Sequence, residues 1–182
     1  MSMEQPTNKT TWAIDPVHST IRFEAKYLLI TSVSGWFREF EGTVVSESDD
    51  FSNSIIQLTI YTNSLDTGNE QRDRHLRSPD FFDTQQYPVI NFRSTAVIVN
   101  DKTIQISGVL AVKDITQELS FNAAHLGTTT DPMGNTKAGF EMDTVLNRHD
   151  FKISWNQLYG VNALLLSNEV KLHADVQLLK LS

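Results

Sequence analysis

Apolar and polar residues alternate along most of the chain, and this period of two is typical of β-strands that bury one face. The clearest run lies in residues 169–182, where alternate positions from Val170 to Leu178 are apolar and the positions between them are polar. Comparable runs predict seven further strands, at residues 19–29, 33–46, 54–64, 89–100, 102–114, 116–126 and 137–148. Gly35 and Gly42 lie within the second of these strands and are expected to mark bends or bulges in it.

Eight strands joined mostly by short connections predict an all-β fold, an eight-stranded antiparallel β-barrel of the lipocalin-like kind. Closure is favoured over an open sandwich because it removes long exposed strand edges. A barrel of this strand number has an interior that is either filled by side chains or holds one small ligand. We expect residues 11–182 to form this single domain and the polar residues 1–10 to form a disordered lead.

The alternation stops between the third and fourth strands. Thr67 and Glu70 have the spacing of a capping box, which predicts a helix of about three turns over residues 68–78 that ends before Pro79. Leu76 is the apolar anchor of this helix, and Phe81 and Phe82 of the following turn are expected to pack beneath it. The insert is strongly charged, which is unusual within an otherwise strand-rich chain.

Composition narrows the function further. The chain has 182 residues, no cysteine and a net charge of −7, so disulfides and thiolate metal sites are excluded and a nucleic-acid partner is not expected. No apolar run approaches the roughly 18 residues that a membrane-spanning helix needs, so no integral membrane insertion is expected. The polar start does not resemble a secretory signal, which favours the cytoplasm, or the periplasm if a signal has been removed.

No catalytic motif, phosphate loop or metal-binding spacing is present, so we predict no catalytic residue, no cofactor and no metal. His125 and His173 each lack a carboxylate or histidine at a spacing typical of zinc ligands.

Four motifs in order resemble the YceI-like family of lipid- or polyisoprenoid-binding proteins, and the resemblance covers residues 11–179. The motifs are WAIDPVHSTIRFEAKY, VSGWFREFEG, RDRHLRSPDFFDTQQYPVINFRST and NRHDF. The resemblance implies a lipocalin-like barrel with helices at one end and an apolar cavity for a long isoprenoid or similar amphiphile. It also implies that the insert caps the barrel mouth. The chain departs from the family pattern at Tyr27, where a histidine is usual nearby, and at Asp114 and Lys152, where glycines are usual.

Two kinds of side chain are candidates for binding such a ligand. Apolar and aromatic side chains are expected on the cavity wall, namely Phe23, Tyr27, Trp36, Phe40, Leu76, Phe81, Phe92, Phe121 and Phe140. Arg72, His75 and Arg148 are candidates for a polar or anionic head such as a pyrophosphate, because charge-assisted hydrogen bonds recognise such groups.

Structural roles are the alternative for these residues. The aromatic side chains would then fill the barrel core, and Glu70 and Asp73 would pair with Arg74 and Arg77 on a solvated helix face. Arg148 would form an ion pair with Asp150.

These features predict a protein that binds and transports or stores a polyisoprenoid, an isoprenoid quinone or a fatty-acid-like lipid without catalysis. The main alternative is a small lipocalin-like enzyme of the isomerase or cyclase type, and a further one is an interaction module with a filled barrel. The apolar segment Asn162–Asn168 is expected to fold over the cavity or to form a homodimer contact.

Overall fold

The computed structural model of the chain describes residues 9–159 and 163–181. Most of the predicted N-terminal lead therefore lies outside the described residues, although Thr10 already pairs with Ser46 in a strand. The helix α1 is Glu70–Arg77, and 3-10 turns occupy Thr62–Ser64 and Arg148–Phe151. The strands are β1 Thr10–Ile14, β2 Thr20–Tyr27, β3 Thr31–Phe37, β4 Phe40–Ser46, β5 Ile55–Tyr61, β6 Leu65–Asp66, β7 Val89–Asn100, β8 Thr103–Val112, β9 Ile115–Thr130, β10 Thr136–Asn147, β11 Leu158–Tyr159, β12 Ala163–Leu164 and β13 Leu166–Lys180.

The main sheet closes on itself. Its antiparallel neighbours follow the order β1, β4, β5, β7, β8, β9, β10 and β13, and β13 returns to pair with β1. β13 also pairs with β2, and β2 pairs with β3. The ring therefore counts β1 and β2 as one bent strand, and β3 and β4 as another. The predicted eight-stranded antiparallel barrel is confirmed.

The bend between β3 and β4 lies at Arg38 and Glu39. The expected bends or bulges at Gly35 and Gly42 are wrong, because both glycines pair with the neighbouring strand in an unbroken register. These glycines instead make room for neighbouring side chains. A Cβ atom on Gly35 would overlap with the ring of Phe23, and one on Gly42 would lie 2.6 Å from Cδ1 of Ile14. The missing side chains thus let larger inward residues fit.

One end of the barrel is filled by aromatic side chains. The ring of Phe51 lies 5.2 Å from Trp12 and 5.0 Å from Phe140, measured between centroids. His125 stacks on Phe140 at 4.9 Å. Contacts of this kind are favourable beyond the apolar area that they bury. This end is therefore packed core.

The helix is shorter than predicted and begins at a different cap. Asn69 is the N-cap, and its side-chain oxygen accepts a hydrogen bond of 3.0 Å from the Arg72 backbone N–H. Thr67 lies outside the helix because its backbone N–H and its hydroxyl both donate to the buried carboxylate of Asp73. Within residues 9–159 and 163–181, no helix combines the length and the apolar character needed to cross a membrane.

A histidine on the outer barrel face has two carboxylate partners that its sequence spacing did not indicate. Nδ1 of His173 lies 2.8 Å from Asp143 Oδ1, because the register of β10 and β13 pairs these two residues directly. Its Nε2 lies 3.2 Å from Asp175 Oδ2. The Asp143 hydrogen bond, assisted by that to Asp175, raises the pKa of His173 above its usual value.

Gly108→Ala is expected to lower the free energy of unfolding by about 1–3 kcal/mol, because an added Cβ would overlap with the Arg93 carbonyl oxygen and the Phe92 ring. Urea denaturation measures this change. Gly139→Ala is the matched control, since its Cβ would meet only Leu126 Cβ at 3.8 Å. Equal losses in the two variants would contradict the steric explanation.

His173→Gln is expected to destabilise the protein in a pH-dependent way. Since the folded-state pKa of His173 is raised, the ion pairs stabilise fully below the unfolded pKa of about 6.5 and are lost as pH rises through the folded pKa. The difference in unfolding free energy between wild type and variant should be at most about 1 kcal/mol near pH 6, because Asp143 is largely exposed, and should shrink in alkaline solution. A difference that grows with pH would contradict this assignment.

Candidate functional site

A cavity of about 550 Å³ occupies the barrel half opposite the aromatic-filled end. Its wall consists of inward side chains of the strands, as the period of two requires. These strand residues are Ile21, Phe23, Ala25, Tyr27, Val33, Phe37, Ile60, Ile90, Leu110, Val112, Leu146, Leu166, Val170 and Leu172. Almost all of these side chains are apolar, so the strand wall has few groups that could form a hydrogen bond with a polar ligand.

The charged insert covers this end of the barrel, as the family resemblance implied. The N-cap and α1 contribute Asn69, Gln71, Arg72, His75 and Leu76 to the cavity lining, and the turn after the helix contributes Phe81 and Phe82. Phe82 packs edge-on against Phe37 of β3 at 5.7 Å, which ties the insert to the barrel wall.

Hydrogen bonds to the insert's own entry segment hold the helix in place. Nε and Nη2 of Arg72 donate to the Thr67 hydroxyl at 2.7 Å and to the Thr67 carbonyl at 2.9 Å. Arg77 donates to the carbonyls of Asn63 and Leu65. The alternative in which Asp73 pairs with an arginine of the same helix is wrong, because the Asp73 carboxylate accepts from Thr67 instead.

His75 lies between two aromatic rings at the cavity wall. Its ring is perpendicular to Phe81 at 5.0 Å and to Trp155 at 4.7 Å, and its Nε2 lies 2.9 Å from Asp80 Oδ2. Aromatic contacts on two sides and a carboxylate on the third fix the orientation of the imidazole.

Arg148 is buried at the same end, with 5% of its surface exposed. Its Nε donates to the Ser167 carbonyl at 2.9 Å, and its Nη1 donates to the carbonyls of Ile153 and Trp155 at 2.8 and 2.7 Å. The expected ion pair with Asp150 is wrong, since Asp150 is exposed and accepts no hydrogen bond from this guanidinium within the described ranges. Burial lowers the pKa of Arg148 below its ordinary value.

The described part of the apolar segment predicted at Asn162–Asn168 also reaches the cavity. Leu165 and Leu166 belong to its lining, and the Leu165 carbonyl accepts a hydrogen bond of 2.8 Å from the Leu28 backbone N–H. Asn162, the first residue of the predicted segment, lies outside the described residues.

Several residues predicted to bind a ligand come together at this cavity. They are Phe23, Tyr27, Arg72, His75, Leu76, Phe81 and Arg148.

The structure places the other predicted residues elsewhere. Phe40, Phe92 and Phe121 pack in or against the core, and Phe140 belongs to the filled end. Trp36 lies on the outer face, where the Arg38 guanidinium covers its ring at 5.2 Å. Phe37 has the cavity-facing position instead, because the break at Arg38–Glu39 shifts the alternation between β3 and β4.

The sequence did not predict three large residues of the cavity lining. Phe151 is the last residue of the NRHDF motif, and Ile153 and Trp155 follow it. An aromatic residue within that motif was visible, but no periodic pattern connected the irregular segment to the barrel interior.

The described residues place one potential metal-binding group outside the barrel. Ligand atoms of Glu141, Asp143 and His173 lie within 4.8 Å of one another, on the face remote from the cavity wall. Asp143 and His173 of this group already pair with each other, and none of the three residues lines the cavity.

Solved structures with the same fold include several bacterial proteins. BcnA of Burkholderia cenocepacia superposes with a TM-score of 0.78 at 18% identity, covering 90% of this chain and 98% of that one. A YceI protein of Campylobacter jejuni gives 0.73 at 24% identity, covering 86% and 90%. A polyisoprenoid-binding domain of Saccharophagus degradans, implicated in plant cell wall breakdown, gives 0.69 at 16% identity, covering 93% and 98%.

Sequence comparison gives a closer relationship. A UPF0312 protein of Staphylococcus aureus is 32% identical over 169 residues, which cover 92% of this chain and 96% of that protein. The family described as YceI-like domain matches residues 12–178. With the barrel, the covering helix and the cavity in place, the chain belongs to the YceI-like domain family.

Proposed function

We propose that the protein binds a long apolar amphiphile in its barrel cavity and transports or stores it without chemical change. A polyisoprenoid, an isoprenoid quinone or a fatty-acid-like lipid fits this role. The observation that carries the proposal is the cavity of about 550 Å³ with its nearly continuous apolar wall. Volumes of about 300–1,000 Å³ are typical of sites that enclose most of a small ligand.

The energetics of such binding follow from the wall. Each methylene group that leaves water for an apolar surrounding contributes about 0.8 kcal/mol. A chain of about ten buried methylenes would therefore gain about 8 kcal/mol, which exceeds the lower estimates of the freedom lost on association. The elongated shape of a hydrocarbon tail suits a site whose walls are strands.

The route of entry is expected beside the helix. Among the lining residues, Tyr27 at the end of β2 is 38% exposed, and Asn69 and Gln71 of the insert are also exposed, so the cavity approaches solvent at these residues. A polar rim around an apolar interior allows a head group to remain hydrated while a tail is buried.

The polyisoprenoid-binding domain of Saccharophagus degradans supports this proposal, because it shares the fold over nearly its whole length. At 16% identity the likeness concerns architecture, so the identity of the ligand here rests on the cavity itself.

Catalysis is the competing function, and one contact favours it. His75 lies at the cavity wall and is oriented by Asp80 at 2.9 Å, which is how a general base is commonly held. Turnover of an isoprenoid or fatty-acid substrate by the wild-type protein, abolished in His75→Ala, would replace the carrier proposal with an isomerase or cyclase.

Native mass spectrometry of the protein purified from cells is expected to show copurified lipid that is recovered chemically unchanged. Ala25→Trp should abolish this binding, because Ala25 lines the cavity and the larger side chain would occupy it. We expect at least a tenfold weaker apparent affinity for a fluorescent apolar probe, since loss of about two buried methylenes already costs that much.

Ala124→Trp is the matched control, because Ala124 is a strand alanine exposed on the outside of β9. The control should fold and bind like the wild type. Unchanged binding in a folded Ala25→Trp variant would show that the ligand does not use this cavity.

A further inference from the structure

The polar groups of the cavity wall have an uneven charge. Arg72, His75 and Arg148 line the cavity, whereas none of its described lining residues is an aspartate or glutamate. This contrasts with the chain as a whole, which has a net charge of −7. The interior therefore differs from the surface in sign, and the difference points to a ligand group of negative charge.

Two of these groups are already engaged with the protein. Arg72 uses Nε and Nη2 to hold Thr67, with distances of 2.7 and 2.9 Å. His75 has Asp80 at 2.9 Å as its partner. Each of these two side chains thus has at least one partner within the insert.

Arg148 differs from both. Its Nε and Nη1 donate to three backbone carbonyls, but its Nη2 is buried and has no hydrogen-bond partner within the described residues. Backbone carbonyls satisfy hydrogen bonds without neutralising a charge. A buried cation that lacks a counter-ion is costly, so an incoming anion would be strongly favoured there.

Resting on the function proposed above, we infer that the ligand is a long-chain carboxylate, a fatty-acid-like molecule whose head is bound by Arg148 while its tail fills the apolar cavity. The wall at this point is formed by the segment whose carbonyls Arg148 holds, including Ile153 and Trp155. A carboxylate oxygen brought against that wall supplies both the missing acceptor and the missing negative charge.

The number of available donors favours a compact head over a larger one. A phosphate or pyrophosphate presents several oxygens and is usually held by several donors. Arg148 and Arg72 each have two nitrogens committed to the protein, but Arg148 also has a nitrogen, Nη2, that is buried without a partner among the described residues. One carboxylate oxygen matches one such nitrogen.

A set of ligands with one tail and three heads tests this inference. Hexadecanoic acid, hexadecanol and hexadecyl phosphate would compete, below their micellar concentrations, with the neutral fluorescent probe N-phenyl-naphthylamine in delipidated protein. In slightly alkaline buffer the acid is fully ionised. We expect the acid to displace the probe at concentrations about ten- to a hundredfold lower than the alcohol, as a charge-assisted hydrogen bond predicts.

The outcomes separate the inference from the function on which it rests. Equal displacement by acid and alcohol would overturn the carboxylate while leaving a carrier of apolar chains. Tighter binding of the phosphate than of the acid would also overturn it, in favour of a larger anionic head. Failure of the protein to take up the probe or any of the three ligands would overturn the proposed function as well.

Substitutions identify the residue that reads the head. Arg148→Met should bring the affinity for the acid down to that for the alcohol, whereas Arg72→Gln should keep most of the preference. Arg22→Gln is a matched control of charge, because Arg22 lies between the inward residues Ile21 and Phe23 and so faces outward.

Arg148→Met removes contacts to three carbonyls and is therefore checked by urea denaturation before binding is measured. If that variant does not fold, the inference is still tested by the preference of the wild type for the acid over the alcohol, and by the same preference in Arg72→Gln. Loss of the acid preference in Arg72→Gln would assign the head to Arg72 and contradict the inference.

Discussion

Closure of the backbone hydrogen-bond ring is the constraint on which the rest of the structure depends. With eight strands the circumference is fixed, so the interior has a set width whatever side chains point into it. Whether a given level of the barrel is solid then depends on side-chain size alone. At one level Trp12, Phe51 and Phe140 fill the width, whereas at the other Ala25, Val33 and Val170 leave a cavity between them.

The elements at the hollow end have a second task, which is to cover the cavity without filling it. The insert does so through a helix that is held by hydrogen bonds to its own entry segment, chiefly those that Arg72 donates to Thr67 and those that Asp73 accepts from Thr67. The segment after β10 covers the cavity through Arg148, whose guanidinium donates hydrogen bonds to the backbone carbonyls of three residues. Both covers are fixed by polar contacts, so the apolar surface beneath them stays available to a ligand.

The sequence was sufficient for the architecture, because period-two patterns and family motifs both report on which residues face inward within a strand. The sequence did not indicate the position of each residue along the barrel axis, because this position depends on the register between strands. Phe121 and Phe140 were expected on the cavity wall for this reason, although they pack elsewhere. The break at Arg38–Glu39 likewise exchanged the faces of Trp36 and Phe37.

Contacts between residues that are far apart in the sequence were also not predicted. The carboxylate that meets His173 comes from a strand 30 positions earlier. Asp114 and Lys152, which both depart from the family pattern, form an ion pair of 3.0 Å. Lys152 has a left-handed backbone conformation, which a glycine adopts without steric cost.

The ring has a kinetic consequence that follows from the position of β13. This strand touches both β10 and the first strands, and one of its contacts, from Gln177 to Asp15, joins residues 162 positions apart. Contacts of such separation form slowly because loop closure must precede them. Until they form, the edges of β1 and β10 are open to pairing with other chains, so the last step of folding is also the step at which aggregation competes.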